Sequence, residues 1–245
     1  MNKINLFCPS CKSKAVVKSG KRKNKNQELQ RYKCNSCKKT FANASLKNKT
    51  YPAKIILNAV SCYNLGSSQI EVSKLISQRY KVKAPQRTIS EWLKQYRSIC
   101  TFARLRKEAS KQYSPKDIIL EKSLNHIQPY TFKFHKAKLE ILTKENPKFS
   151  AIKTYIDKIN QKTFPHHIFT YNKRDNANNN QNNQRASQLK FNHLKIKTLS
   201  KSNLACKLVS LALNLATTNK DRHQKIQDFF LINDSTTIAI EVPIY

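Results

Sequence analysis

Apolar residues recur at helical spacing through residues 51–100 and predict three short helices there. The first helix begins after Tyr51-Pro52, because proline is tolerated in the first turn of a helix. Gly66 ends this helix at a position suited to positive φ. The inward face of the first helix consists of Ile55, Ile56, Ala59, Val60 and Tyr63.

The second and third helices follow after short polar turns. Ser67 or Ser68 supplies the N-cap of the second helix, which ends near Arg79-Tyr80. Pro85 opens the third helix. The residues that the second helix turns inward are Ile70, Leu75 and Ile76. The apolar face of the third helix consists of Ile89, Trp92, Leu93 and Tyr96.

Short strands are predicted in the first 50 residues. Ala15–Lys18 and Leu29–Lys33 have strand-forming composition, and the polar run Ser19–Gln27 turns between them. Phe41 supplies a small core for this segment.

The second half of the chain mixes aromatic and basic residues. Tyr130, Phe132 and Phe134 alternate with polar residues, which fits a strand or the start of a helix running through Leu142. A core face is the preferred interpretation, and stacking on unpaired bases is the alternative. Another amphipathic helix is marked by Ile152, Tyr155, Ile156 and Ile159.

Residues 172–186 are rich in Asn and Gln and predict a disordered linker or a long loop. Beyond them, helices are expected over Leu204–Leu215 and Arg222–Phe230, and a final strand over Thr237–Tyr245.

Four cysteines in two CxxC pairs change this picture. The pairs are Cys8 with Cys11 and Cys34 with Cys37, and 22 residues separate them. Each pair can clip one side of a tetrahedral Zn²⁺ through thiolate sulfur. The interval slightly exceeds the usual zinc-ribbon window, but the entropy of loop closure grows only logarithmically with length. We therefore expect one structural zinc ion bound by these four residues.

Other uses of cysteine fit less well. A redox CxxC pair normally accompanies a βαβ pattern, which is not evident here. A disulfide framework suits a secreted chain, whereas residues 1–7 have no apolar leader segment and no stretch reaches transmembrane length. We therefore expect a cytoplasmic protein without a membrane partner. The remaining cysteines, Cys62, Cys100 and Cys206, are interpreted as small buried apolar residues.

The net charge of +33 predicts a polyanionic partner, for which nucleic acid is the usual candidate. Residues 1–50 contribute +13 and residues 51–112 contribute +9, so the excess is concentrated towards the N-terminus. A basic run lies between the two CxxC pairs, where it would form the exposed tip of a loop. We expect its cations Lys21, Arg22, Lys23 and Lys25 to contact phosphates, and a solvated charge run is the alternative.

Outward positions of the third helix are candidates for reading bases. Near the start of a helix in the major groove, Gln and Arg can make paired hydrogen bonds to adenine and guanine. Glu91 would accept from a cytosine amino group or pair with Arg87. The candidate DNA contacts are Gln86, Arg87, Thr88, Ser90 and Lys94, and the alternative is a plain three-helix bundle with a polar face.

The order of these parts resembles the N-terminal region of insertion-element transposases. Residues 7–11 read FCPSC, and residues 30–41 read QRYKCNSCKKTF, which resembles their zinc ribbon. The segments NLGSS at 64–68 and TISEWL at 88–93 resemble their helix-turn-helix. The resemblance covers about residues 5–100 and implies binding to the terminal inverted repeats of an element.

Such transposases also carry an RNase H-like domain in which three carboxylates bind two Mg²⁺. Asp228, Asp234 and Glu241 lie close in sequence, but they do not fall into the strand–strand–helix order of that domain. We assign no catalytic residue. His166 and His167 are adjacent, so on a strand they would point to opposite faces and make a poor metal pair.

The chain is thus expected to be a zinc-dependent DNA-binding protein of mobile-element type that recognises double-stranded DNA. An active transposase using Mg²⁺, and a transcriptional regulator or RNA-binding protein, are the alternatives. Homodimer formation is left open, with the C-terminal half as the candidate dimer contact.

The expected fold class is mainly α and multi-domain, with a small N-terminal β zinc ribbon and a mostly helical C-terminal part ending in a strand. The expected units are a zinc ribbon at 1–47, a helix-turn-helix at 51–100, an aromatic-basic segment at 113–171, the linker at 172–186 and an α+β segment at 187–245.

Overall fold

The computed structural model describes residues 6–24, 26–42, 46, 49–125, 130–160, 162, 164 and 202–244. The N-terminal part is a three-stranded antiparallel sheet in the order β1-β2-β3. Its strands are β1 (Val16–Lys23), β2 (Glu28–Cys34) and β3 (Thr40–Ala42). Phe41 stacks on Tyr32 with ring centroids 5.9 Å apart, so the expected small core forms on this sheet.

Three helices follow, as the periodicity predicts: α1 (Ala53–Asn64), α2 (Gln69–Tyr80) and α3 (Gln86–Tyr96). Pro52 and Pro85 precede α1 and α3 as their N-cap residues. Ser68 caps α2 in a capping box, in which its side chain accepts from the Glu71 backbone while Glu71 accepts from the Ser68 backbone. These local signals explain why the helix boundaries were predictable.

The inward face of α2 differs from the prediction. Ile76 is buried as expected, but Ile70 and Leu75 are 54% and 42% exposed. Val72 takes the inward position instead and is fully buried. Val72 and Ile76 lie four residues apart on one face of the helix, and that stripe alone reaches α1 and α3.

The second half contains another three-stranded antiparallel sheet, in the order β4-β5-β6. The remaining helices and strands of the chain are, in order, α4 (Arg106–Gln112), β4 (Ile119–Leu124), β5 (Tyr130–His135), α5 (Lys136–Glu145), α6 (Ser150–Lys158), α7 (Leu204–Ala212), α8 (Arg222–Asn233) and β6 (Ala239–Ile240). The aromatic run is therefore a strand that leads straight into a helix. Phe132 and Phe134 are buried, which confirms the interpretation as a core face.

The fold class is confirmed: helices predominate, with the small sheet at the N-terminus and a strand near the C-terminus. The final strand is shorter than expected: Ala239 and Ile240 pair with β5, and the Ile238 carbonyl oxygen accepts from the His135 backbone N–H at 2.8 Å. The Asn-rich segment 172–186 lies outside the described residues. None of the described helices has the length and apolar character needed to cross a membrane.

The core of the three helices continues into α7 and α8. Buried residues from both halves meet in one cluster, including Phe229 and Leu208 of the C-terminal helices. At its centre the Asn233 side chain donates to Ser61 Oγ at 2.9 Å and accepts from Asn64 Nδ2 at 2.9 Å. Because these polar groups are buried, their mutual hydrogen bonds select one position of α8 on α1.

Arg106 holds the turn between α1 and α2. Its guanidinium group donates to the backbone carbonyl oxygens of Tyr63, Gly66 and Ser67 at 2.6 to 2.9 Å. It also lies 3.8 Å from the centroid of the Tyr63 ring, a cation–π contact. Gly66 itself has φ +115°, so the turn requires a residue without a Cβ atom.

Lys138 of α5 is fully buried beside the C-terminal end of α8. Its amine donates to the backbone carbonyl oxygens of Leu231 and Thr237, and it lies 4.9 Å from the Phe102 ring centroid. Burial lowers the pKa of Lys138 to about 7, against the opposing attraction of Asp234. The amine therefore fastens the end of α8 to α5 in a site that disfavours its charged form.

Replacing Arg106 with Met should lower the free energy of unfolding by about 2 kcal/mol, because charge-assisted hydrogen bonds to three carbonyl groups are lost. Urea unfolding monitored by circular dichroism measures this difference. The exposed neighbour Arg104 provides the matched control, since Arg104→Met removes the same charge without removing these contacts. Equal stability of the two variants would contradict the role assigned to Arg106.

Lys138 should make stability rise with pH between about 7 and 10. In that range the unfolded chain keeps the lysine proton while the folded chain releases it. Because the unfolded state binds more protons, an increase in pH raises its free energy relative to the folded state. The difference in unfolding free energy between wild type and Lys138→Met, measured at several pH values, isolates this contribution. A difference that is independent of pH would contradict it.

Candidate metal centre and nucleic-acid interface

The sheet of the N-terminal part brings the two cysteine pairs together. Cys34 ends β2 and lies opposite Val16, the first residue of β1. The Asn35 backbone N–H then donates to the Ala15 carbonyl oxygen at 2.8 Å, which extends the pairing past the end of the strands. The CxxC turn after β2 therefore lies beside the CxxC turn that precedes β1.

The four sulfur atoms are spaced for a single metal ion. Sγ of Cys8 lies 3.5 Å from Sγ of Cys37, and Sγ of Cys11 lies 3.6 Å from Sγ of Cys34. All four sulfur atoms lie within 4.8 Å of one another. A tetrahedron with Zn–S bonds of about 2.3 Å has edges of roughly 3.8 Å, so the quartet fits zinc.

The backbone of the two CxxC turns favours the thiolate form at two of the four cysteines. The Cys37 backbone N–H, the largest influence, lowers the pKa of Cys34 to about 6, and the Cys11 backbone N–H lowers the pKa of Cys8. For Cys11 the Ser13 backbone N–H acts in the same direction, but desolvation and the neighbouring thiols prevail and raise its pKa to about 12. Four adjacent thiolates repel one another, and a dication relieves that repulsion.

Residues 1–38 match the family model of the InsA N-terminal domain, a zinc ribbon. The match contains all four cysteines and ends before β3. The InsA-type ribbon thus holds one structural Zn²⁺, through Cys8, Cys11, Cys34 and Cys37, as the spacing predicts. No curated protein and no solved structure matches the chain.

The basic run of the InsA-type ribbon does not form a loop tip. Lys21, Arg22 and Lys23 belong to strand β1, because the pairing of β1 with β2 continues to Lys23 opposite Glu28. Lys21 Nζ lies 2.7 Å from Glu28 Oε1, and this contact raises the pKa of Lys21 and lowers that of Glu28. Lys25 lies outside the described residues.

A bulge in β1 decides which way these side chains point. The register shifts between Lys18 and Lys21, where Gly20 adopts φ +69° and its carbonyl oxygen accepts from Gln30 Nε2 at 2.8 Å. Residues directly opposite in an antiparallel pair share a face. Lys18 opposite Tyr32, Lys21 opposite Gln30 and Lys23 opposite Glu28 therefore all lie on one face of the hairpin.

Most of the residues proposed to contact bases lie along one side of α3, from Gln86 in its first turn to Lys94 in its last turn. They border a surface depression of about 460 Å³, which is lined by Gln69, Gln86, Arg87, Ser90, Glu91 and Lys94. Thr88 is half-buried and is not part of this lining. Arg87 pairs with Glu91 across one helical turn at 3.5 Å, which is the second of the two roles considered for Glu91.

Gln69 is the member of this depression that sequence reasoning missed. It is the first residue of α2, and the capping box at Ser68 fixes the orientation of that turn. The Ser73 hydroxyl donates to the Ala84 carbonyl oxygen at 2.6 Å and holds the segment between α2 and α3. The S-x-x-E motif that begins at Ser68 was visible in the sequence and could have pointed to this position.

The ribbon is tied to α3 through the segment that joins them. Gln27 Nε2 donates to the Lys49 carbonyl oxygen at 2.7 Å, and the Lys49 amine in turn donates to Gln95 of α3. Tyr51, two residues on, packs edge-to-face on Trp92 with centroids 5.0 Å apart. The hairpin turn is therefore linked to α3 through Lys49.

Outside the ribbon, the cysteines behave differently from one another. Cys100 is buried and desolvation raises its pKa to about 12, and burial also raises the pKa of the half-buried Cys62. Cys206 is exposed on α7, so its interpretation as a buried residue is wrong. It lies on the outward side of a helix whose inward stripe is Leu208, Leu211 and Ala212.

The three acids that lie close in sequence near the C-terminus are engaged in separate local contacts. Asp228 pairs with Lys133 at 3.3 Å, Asp234 accepts from the Thr236 and Thr237 hydroxyls, and Glu241 accepts from Gln227. Within the described residues, the group of three or more potential metal ligands that lie close together is the cysteine quartet. His166 and His167 lie outside the described residues.

Purified protein should contain one zinc ion per chain, and Cys34→Ser should lose it because three sulfur ligands cannot close the tetrahedron. Elemental analysis after dialysis measures the ratio. The exposed Cys206→Ser variant is the control and should keep its zinc. Full zinc content in Cys34→Ser would exclude the assigned site.

Proposed function

We propose that this chain is a zinc-dependent, mobile-element-type protein that binds duplex DNA through its ribbon and through α3. The observation that carries the proposal is the depression along α3. Amide and cationic side chains from two helices are presented outward there, on a scaffold with a buried apolar core. The match of residues 1–38 to the InsA N-terminal domain supports the mobile-element assignment.

The proposed role of α3 is to read base edges in the major groove, as the second of two helices in a helix-turn-helix. Gln86 and Arg87 lie in its first turn and are exposed, which is where such a helix contacts bases. Arg87 would exchange Glu91 for a guanine edge. This exchange is inexpensive, because an exposed ion pair contributes only about 0 to 1 kcal/mol.

The proposed role of the ribbon is to hold the phosphate backbone next to the site read by α3. The three lysines on one face of the hairpin supply positive charge, although Lys21 shares its charge with Glu28. The contacts from Gln27 through Lys49 to Gln95 keep the hairpin turn beside α3. Two elements of different type could then contact one DNA segment without losing the entropy of a free linker.

Affinity for duplex DNA should fall steeply with salt, by a log–log slope of about −0.9 for each phosphate neutralised. Titrations of labelled duplex at several salt concentrations, followed by fluorescence anisotropy, measure the slope. A slope near zero would rule out the proposed function.

Arg87→Ala should cost about 1–3 kcal/mol at one base position and relax the preference there. Selection of bound sequences from a random duplex library identifies the wild-type site and the position at which the variant loses preference. The control is Arg79, which is exposed at the end of α2 away from Gln69. Arg79→Ala should leave the preferred DNA sequence unchanged. Uniform weakening on all sequences by Arg87→Ala would assign Arg87 to phosphate contact instead.

A further inference from the structure

Both CxxC turns of the ribbon end on a lysine in the left-handed region. Lys12 follows Cys11 and Lys38 follows Cys37, and each has φ 61°. An L-residue with a side chain is disfavoured in this conformation, and glycine adopts it without strain. The same long cationic side chain nevertheless occupies the strained position in both turns, which points to a use for the amine.

These lysines belong to a cationic surface at the metal end of the ribbon, which we call the knuckle surface and define as Lys12, Lys14, Lys38 and Lys39. All four side chains are exposed. Hydrogen bonds within each turn hold it close to the cysteines: the Lys12 backbone N–H donates to the Cys8 carbonyl oxygen at 2.8 Å, and the Cys34 backbone N–H donates to the Lys39 carbonyl oxygen at 3.0 Å.

Neutralising the negative charge of the metal centre does not account for all of this positive charge. Four thiolates and one Zn²⁺ carry a formal charge of −2, whereas the knuckle surface carries +4, so an excess of +2 remains. Ion pairs do not reduce it, since among the described residues those four amines form none.

The acidic residue of this region is too far away to screen the knuckle surface. Glu28 is the one acid among residues 1–50, and it lies six residues from Cys34 along β2. At about 3.4 Å per residue this separation is about 20 Å, roughly twice the Debye length at physiological salt. Glu28 instead neutralises Lys21 at the other end of the hairpin.

We propose that the knuckle surface is a phosphate-binding site for the backbone of duplex DNA, distinct from the hairpin lysines and from the base-reading face of α3. The proposal rests on the proposed function, because it assigns a further contact with the same class of ligand. Phosphate oxygens accept hydrogen bonds from lysine amines at any base sequence, so this site adds affinity without adding sequence preference.

The experiment uses the full-length, zinc-loaded protein and the double variant Lys12→Gly/Lys38→Gly. Glycine removes the charge and relieves the left-handed backbone, so zinc retention against a competing chelator should be equal to wild type or greater. Affinity for duplex DNA should fall uniformly across sequences. Wild-type affinity for duplex DNA should fall when salt rises from about 50 to 200 mM. In the variant this fall should be about 12-fold smaller, because two phosphate contacts are missing.

Three comparison variants separate charge from backbone effects. Lys12→Arg/Lys38→Arg keeps both charges in the same conformation and should bind DNA like wild type. Lys14→Ala/Lys39→Ala removes two charges of the knuckle surface at positions without positive φ and should weaken binding in the same way. Lys148→Ala/Lys220→Ala removes two exposed charges elsewhere and should change neither zinc retention nor affinity by more than about twofold.

Unchanged DNA affinity and salt slope in both charge-removing variants, Lys12→Gly/Lys38→Gly and Lys14→Ala/Lys39→Ala, would overturn the proposal while leaving the proposed function intact. Reduced zinc retention with unchanged DNA affinity would overturn it too, because the lysines would then serve only the metal centre. Loss of affinity for single-stranded RNA but not for duplex DNA would also contradict it. If wild type itself shows no salt-dependent affinity for duplex DNA, the proposed function fails together with this inference.

Discussion

The return of α8 to the three N-terminal helices is the constraint on which the rest of the structure depends. Asn233 enters the core at α1, where Ser61 and Asn64 satisfy its amide, and Asn64 and Asn233 are 169 positions apart in the sequence. The opposite side of the same helix serves the second sheet, since Asp228 pairs with Lys133 of β5 and the Leu231 carbonyl accepts from Lys138. One helix thereby packs its apolar side into the core of the three N-terminal helices and makes polar contacts with β5 and α5 from its other side.

Features specified by neighbouring residues were predictable from the sequence. The cysteine pairs, the proline starts of α1 and α3, and the Ser68 cap each depend on a few adjacent positions, and the structure contains all of them. Features that depend on distant partners were not predictable. Ile70 and Leu75 have helical spacing suited to burial, yet only the Val72 stripe reaches a neighbouring helix. Lys138 reads as an ordinary surface cation until α8 encloses it.

The same distinction applies to the candidate interface. Outward residues of α3 follow from helix periodicity, so Gln86, Arg87 and Lys94 lie together as the pattern indicates. The polarity of the basic run of the ribbon predicts a loop, whereas strand pairing extends through Lys21, Arg22 and Lys23. Polarity alone does not distinguish an exposed hairpin strand from a loop, because neither buries its side chains.

The bulge at Gly20 allows an odd interval in sequence to give a shared lysine face. Lys18 and Lys21 are three positions apart, so strict alternation would place Lys21 and Lys23 on the face opposite Lys18. The bulge takes up one residue without a partner and returns both lysines to the face of Lys18. A regular strand one residue shorter would present the same three lysines, so what the extra residue adds is the local bend and stronger twist of a bulged strand, which sets the direction in which that face is presented.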